Sequence, residues 1–299
     1  MGSNAIRLRI VQVGPQGRNL LEEARLNVRL GLATYGRGSL DAESIAAALG
    51  ALRTCRDACL RHAVHRFRAV ATAALRDAPN RDELTRRIAS ELGLAIEVIP
   101  GTEEARLLYL GLSEAERATG PVAMIELGSG SLQVAAGTGV ATHLDCLPMG
   151  GLRLALDHGA RGAMSAAMLA GLESAVRAGL ASTAAALGPL KVRRLLGAGG
   201  GFRALAMVSR TSTGAMPDAL ELAPMQALVR RVAPLELRAR EALGLTAERA
   251  DSIVPAACVA VELMRMLGLE RMELVDTNLR DGILTDLAAD ASRGAPLPA

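Results

Sequence analysis

The sequence has no tryptophan and only four other aromatic residues, Phe67, Phe202, Tyr35 and Tyr109. A core must therefore be built from Leu, Val, Ile, Met and Ala. The stacking platforms on which single-stranded nucleic-acid binders rely are missing. Lysine is nearly absent as well: Lys191 stands alone and every other side-chain cation is arginine. A bias toward GC-rich codons accounts for that choice, while arginine also suits bidentate capture of phosphate oxygens. No apolar run approaches the roughly 18 residues of a membrane span. Cys55, Cys59, Cys146 and Cys258 form no CxxC pair and follow no basic-then-apolar leader, which reads as a cytoplasmic chain with reduced thiols. Ile6 stands where a myristoylation signal needs Ser or Thr. A net charge of +3 is too small to imply a nucleic-acid polymer or a membrane as partner.

What is present is a chain of 299 residues, half of them apolar, enough for two domains with sizeable cores. Alternation over 5–13, with Ile6, Leu8 and Ile10 opposite Arg7 and Arg9, predicts a half-buried strand. A turn at Gly14-Pro15-Gln16-Gly17 and a second strand over 24–30 follow. Ser39 or Asp41 caps a helix whose apolar stripe runs through Ile45, Leu49, Leu52, Cys55 and Cys59. Strands are expected at 67–73 and 94–99. Between them Asn80 and Glu83 form a capping-box pattern, and Thr102 caps a helix opening on Glu103 and Glu104, acids suited to its positive end.

After Gly120 the pattern restarts, with strands at 121–127, 132–136, 140–147 and 192–196. Helices are expected at 151–159, 164–187, 217–243 and 254–267, then a strand near 271–275 and a closing helix from about 279. Both halves run hairpin strands first, then helix, strand, helix. That order reads as a duplicated α/β unit, divided into 1–120 and 121–299, with the last helix returning to the first domain.

Three glycine-rich turns stand out: Gly2-Ser3-Asn4, Gly128-Ser129-Gly130-Ser131, and 197–201 with Gly199 and Gly200. Such turns can point successive backbone N–H groups into one concavity that accepts phosphate oxygens. The third lies between a strand and a helix, where the helix N-terminus adds positive potential. It has neither the Gly-Lys-Ser/Thr of a Walker loop nor the spacing of a dinucleotide fingerprint. A single turn of this kind would be an ordinary hairpin; three favour a phosphate-binding cleft between two domains.

The runs VATAALRDAPN (70–80), IPGTEEARLLYLGL (99–112), IELGSGSLQV (125–134), CLPMGGLRL (146–154), LLGAGGGFRALA (195–206), ERADSIVP (248–255) and NLRDGIL (278–284) occur in the order seen in the Ppx/GppA phosphatases. The chain resembles the short form of that family over essentially its whole length. The resemblance implies two actin-like domains of the ribonuclease H-like, sugar kinase and heat-shock ATPase superfamily, with the site in an interdomain cleft. It implies a Mg²⁺-dependent phosphoanhydride hydrolase, an exopolyphosphatase or guanosine pentaphosphate phosphohydrolase. Glu104 then orients or deprotonates the attacking water, Arg76 contacts phosphate, and Glu126 and Gln133 occupy the metal-binding positions. Glu103 becomes a structural neighbour and Arg106 a weaker candidate. A homodimer is left open.

The sequence departs from the family where the chemistry sits. Glu126 replaces the usual Asp, and Gln133 replaces a carboxylate by an amide that holds Mg²⁺ weakly. Phe202-Arg203 stands where the third turn usually has small residues. Only Met1 precedes the first turn, so an acid and most of a central strand are missing. Either the chain begins upstream, which is favoured, or another segment or a partner fills that place. These departures keep a second function in view: a degenerate relative that binds polyphosphate or a phosphorylated nucleotide without turnover. Cys55, Cys59 and His62 share one helix face but read as core filler rather than a metal site. His143 and His158 have no Ser or Asp at a telling spacing.

Overall fold

Alternation at the N-terminus produces the strand it predicts. In this computed structural model, which describes residues 1–14, 17–209 and 216–292, β1 (Ala5–Gly14) pairs antiparallel with β2 (Gly17–Asn27). Pro15 and Gln16 of the expected turn lie outside the described residues. The second strand begins well before residue 24. Its first half is extended because it pairs with β1 from Gly14↔Gly17 onward, with one bulge where Val11↔Leu20 gives way to Ile10↔Glu22. A short π-helix (Leu32–Arg37) leads to α1 (Ala42–Arg61). Of the two candidate caps Asp41 is the one used: its Oδ1 accepts from Ser44 N at 2.8 Å, and Ser44 Oγ accepts from Asp41 N at 3.2 Å. Cys55 joins the apolar stripe of α1 in the core, as its spacing predicts.

The next strands are far shorter than expected. β3 is only Val70–Ala71, followed by α2 (Ala73–Asp77), α3 (Arg81–Leu92) and β4 (Glu97–Val98). β3 and β4 pair in parallel over two rungs, in a sheet separate from β1–β2. On the other side of β3, the Met1 amine donates to Val70 O and Thr72 N donates to Met1 O. β3 thus has a neighbour there for one residue only. Asn80 does sit at the N-cap of α3, but its amide is not a cap. Its Oδ1 accepts from Leu40 N at 3.0 Å and its Nδ2 donates to Leu40 O at 2.9 Å.

By contacts the chain divides into two compact units, residues 1–100 with the segment from Ile283 onward, and residues 101–282. The division falls at residue 100 rather than at the loop around Gly120. The reason is that α4 (Gly101–Leu110) and α5 (Glu114–Ala118) pack on strands of the second unit. Helix α4 already begins at Gly101, so Thr102 is inside it and not its cap.

The second unit holds β5 (Val122–Leu127), β6 (Leu132–Thr138), β7 (Val140–Leu147), α6 (Gly151–Asp157), α7 (Ala166–Leu187), β8 (Arg194–Ala198) and α8 (Gly200–Val208). They are followed by β9 (Ala219–Glu221), α9 (Leu222–Val232), α10 (Leu237–Glu241), α11 (Ala247–Leu267), β10 (Arg271–Leu274) and the start of α12 (Leu279–Ser292). The single helix expected over 217–243 is thus three elements. β9 pairs antiparallel with β10, and Pro234 follows α9 where no further helical N–H could be donated. Helix α11 starts before residue 254 and carries Pro255 inside it. One mixed six-stranded sheet results, in the order β7-β6-β5-β8-β10-β9. Its strand β5 is apolar apart from Glu126 because both faces are covered. Ala123, Ile125 and Leu127 join the core under α8 and α11, whereas Val122 and Met124 pack with Ala105, Leu108 and Tyr109 of α4.

Candidate functional site

The turn 128–131 between β5 and β6 is built so that its carbonyls are occupied. Gly128 N donates to Ser131 O at 3.0 Å, closing the turn. Gly128 O accepts from Gly151 N, Ser129 O from Leu152 N and Arg153 N, and Gly130 O from Arg153 Nε at 3.0 Å. Among the described residues the amides of Ser129, Gly130 and Ser131 donate to no protein acceptor. Gly130 and Ser131 are nevertheless buried. Buried unpaired N–H groups are rare, and several in one turn are what an anion-binding concavity offers. The close seat of α6 depends on Gly150, where a Cβ would lie 2.3 Å from the N and C atoms of Gly130.

Strand register arranges the side chains beside this turn. Glu126 is opposite Gln133, and Gln133 is opposite Cys146, so the three stand in a row across β5, β6 and β7. Parity along β5 puts Glu126 on the face of Val122 and Met124, which is the face that α4 covers. Gln133, 2% exposed, donates Nε2 to Ser131 Oγ at 2.6 Å and to Cys146 Sγ at 3.5 Å. Glu104 lies in the first turn of α4 and is 7% exposed. Its neighbour Glu103 is bound in two places by Arg106, at 2.7 and 2.9 Å, which separates the two acids by role.

The third glycine-rich turn adjoins the second. Gly199 has φ 92 and a Cβ there would come within 3.2 Å of Glu126 Cγ and 3.3 Å of Leu127 O, so this position is restricted to glycine twice over. Gly199 leads α8 without a side-chain cap. A Cβ on Gly200 would lie 2.0 Å from Arg249 Nη2, which places that guanidinium at the start of α8. The second unit therefore brings together Glu126, 128–131, Gln133, Gly199 and Gly200, with Glu104 on a helix covering the same sheet face.

The first unit holds the other sequence candidates, and its turn repeats the plan. Gly2 N donates to Ala5 O at 3.0 Å, Ser3 O accepts from Gly31 N, and Asn4 O accepts from Val28 N and Arg29 N. Among the described residues the amides of Ser3 and Asn4 have no protein acceptor. The bond from Thr72 N to Met1 O sets the start of α2 beside this turn. Arg76, on α2, donates Nη1 to Ile99 O at 3.2 Å.

Sequence reasoning missed Gly150, Arg153, Cys146 and Arg249. The paired glycines at 150 and 151 were a usable signal, since adjacent glycines before a helix mark a close backbone approach. Cys146 and Arg249 meet the site only through strand register and helix packing. Among the described residues no three His, Cys, Asp or Glu side chains form a metal-holding group, and no helix is long and apolar enough to cross a membrane.

The sequence profile of the Ppx/GppA phosphatase family matches residues 9–291. An uncharacterised protein of Streptomyces coelicolor is 28% identical over 95% of this chain and 87% of its own length. An exopolyphosphatase from Cytophaga hutchinsonii has a similar structure, with a TM-score of 0.85 at 22% identity over 100% of this chain and 98% of that one. A PPX-GPPA enzyme of Aquifex aeolicus gives 0.81 at 22% identity, covering 96% and 97%. At that identity the structural likeness establishes the α/β fold with its mixed sheet.

Proposed function

Because this chain belongs to the Ppx/GppA phosphatase family, we propose that it binds the end of a phosphoanhydride chain, linear polyphosphate or guanosine pentaphosphate, and hydrolyses off the terminal phosphate. The observation that carries this reading is the 128–131 turn, whose carbonyls are engaged and whose amides of Ser129, Gly130 and Ser131 have no protein acceptor. Fixed amides stabilise charge that develops on phosphate oxygens without having to reorganise. Glu104 would take the proton of the water whose oxygen attacks phosphorus, as the bridging P–O bond to the shortened chain breaks. Arg76 and the 2–4 turn would hold phosphate oxygens on the first unit. The same turn plan in both units supports a duplicated, actin-like architecture.

Magnesium fits this donor set at one residue. Glu126 offers a carboxylate at the turn, and Mg²⁺ is commonly held by one or two carboxylates together with substrate phosphates and water. Bound there, the ion would neutralise charge on the phosphates. Gln133 fits only weakly as a ligand: its Nε2 donates to Ser131 and Cys146, which leaves a neutral amide oxygen where a carboxylate would bring charge.

That feature favours a second reading, a receptor that holds the polyanion without turnover. Phosphate release from polyphosphate and from guanosine pentaphosphate, with and without Mg²⁺, decides between them. The hydrolase reading expects release by wild type and a loss of about 10²-fold or more in Glu104→Gln. Tight binding of polyphosphate with no release from either substrate would overturn it in favour of the receptor.

A further inference from the structure

The residue after buried Phe202 is an exposed arginine at the edge of the site. Arg203 lies in the first turn of α8, where its N donates to Gly199 O at 3.3 Å. Its Nη2 meets Asp276 Oδ1 at 2.5 Å, with the Arg203 side chain 51% and the Asp276 side chain 95% exposed. Spacing of i, i+3 puts Arg203 on the face of α8 that Gly200 begins. Arg249 lies against that same face, its Nη2 2.0 Å from where a Gly200 Cβ would be. Two guanidinium groups and the positive end of a helix therefore gather at the 199–200 turn, which packs on Glu126 and Leu127, the residues that lead into the 128–131 turn. The partner of Arg203 is a carboxylate almost wholly in water.

We infer that Arg203 determines specificity by binding the second phosphate of a polyanion whose terminal phosphate occupies the 128–131 turn, and that Asp276 holds its guanidinium until then. The inference rests on the phosphate-site reading given above. An ion pair this exposed is weak. A phosphate offers the same two-oxygen geometry as the Asp276 carboxylate with more charge, so it displaces that group readily. Asp276 thus stands where phosphate oxygens would. Orthophosphate, lacking a second phosphate, gains nothing from Arg203 beyond its long-range charge.

Isothermal titration calorimetry of the full chain in magnesium buffer tests this, with orthophosphate and the non-cleavable bis-methylene analogue of tripolyphosphate as probes. Wild type should prefer the analogue. Arg203→Ala should weaken analogue binding about tenfold, the size of one charge-assisted hydrogen bond, and lower its preference over orthophosphate accordingly. Asp276→Asn should tighten analogue binding about twofold to threefold. The double variant should match Arg203→Ala, because Asp276 acts only through Arg203. Melting curves check that each variant is folded. An unchanged preference in Arg203→Ala, or an Asp276→Asn effect that survives without Arg203, overturns the inference while leaving the phosphate site intact. Failure of wild type to bind either probe overturns the phosphate-site reading and this inference with it.

Discussion

Gln133 donates its side-chain amide to the Ser131 hydroxyl at 2.6 Å, and directly across the ladder from it stands Glu126. The amide locks one end of the turn that carries the unpaired N–H groups, and it does so without adding charge. Gln133→Glu would place a second carboxylate, nearly buried, opposite Glu126. Without a cation the two charges repel, and we expect a loss of about 1–3 kcal/mol of stability. With Mg²⁺ the loss should disappear and phosphate release from polyphosphate should rise, because the turn then offers two carboxylates. Thermal melts with and without Mg²⁺, alongside a phosphate-release assay, check both halves. A melting point indifferent to Mg²⁺ in this variant would show that the pair does not hold the ion.

Much of this arrangement is legible in the amino-acid sequence. The run 122–127, apolar but for Glu126, is a central strand covered on both faces, and the Asp41 cap and the glycine turns lie where local chemistry requires them. What could not be read is what depends on neighbours distant in sequence. β3 and β4 are apolar enough for longer strands, yet each persists for two residues because a ladder extends only as far as its partner. Asn80 has a capping residue's identity but finds Leu40 within reach of both its amide atoms. Arg249 is one arginine among many until α11 packs it against Gly200.

Two glycine-to-alanine changes should act in opposite directions. A Cβ at Gly150 would lie 2.3 Å from the backbone of Gly130, so Gly150→Ala must push α6 off the turn. It should cost about 2 kcal/mol or more and weaken phosphate binding together with stability. Gly171, inside α7, has nothing within 4 Å of an added Cβ. There alanine should raise stability by about 0.5–1 kcal/mol through helix propensity alone. Urea unfolding of both variants measures the signs; a neutral Gly150→Ala would show that the turn is not held by close approach.

Acid should expose one tie between β8 and β10. Arg194 donates to Glu273 at 2.9 and 2.6 Å, and this hydrogen bonding, with the charges of Arg194 and Arg271, holds the Glu273 carboxyl below the usual range against a smaller opposing effect of burial. A lowered folded-state value means that the stabilisation is fully present above the unfolded value, near about 4.3, and is lost as pH falls through the folded one. Glu273→Gln should therefore be less stable than wild type at neutral pH, by under about 1 kcal/mol after solvent screening. The gap should close as pH falls below the usual carboxylate range. A gap of constant size across that range would assign the effect to packing.

The first unit should respond to an added strand. In the second unit β5 lies between β6, its antiparallel neighbour, and β8, its parallel one. In the first unit Met1 is, among the described residues, what occupies the matching place: the Gly2–Ala5 bond turns the chain into β1, and Met1 bonds Val70 of β3 and Thr72 just after it. Among the described residues β1 pairs with β2 only, so one edge of β1 and one edge of β3 carry backbone groups without a ladder. Six residues fused ahead of Met1 with the apolar character of β5 would run along these edges, pairing backbone N–H and C=O groups. We expect a higher melting point and slower proteolysis within residues 1–100, with β3 protected from hydrogen exchange beyond its present two rungs. A scrambled polar hexapeptide at the same place is the control. Equal melting points for the two fusions would mean that the two small sheets have closed on each other and leave no place for a strand.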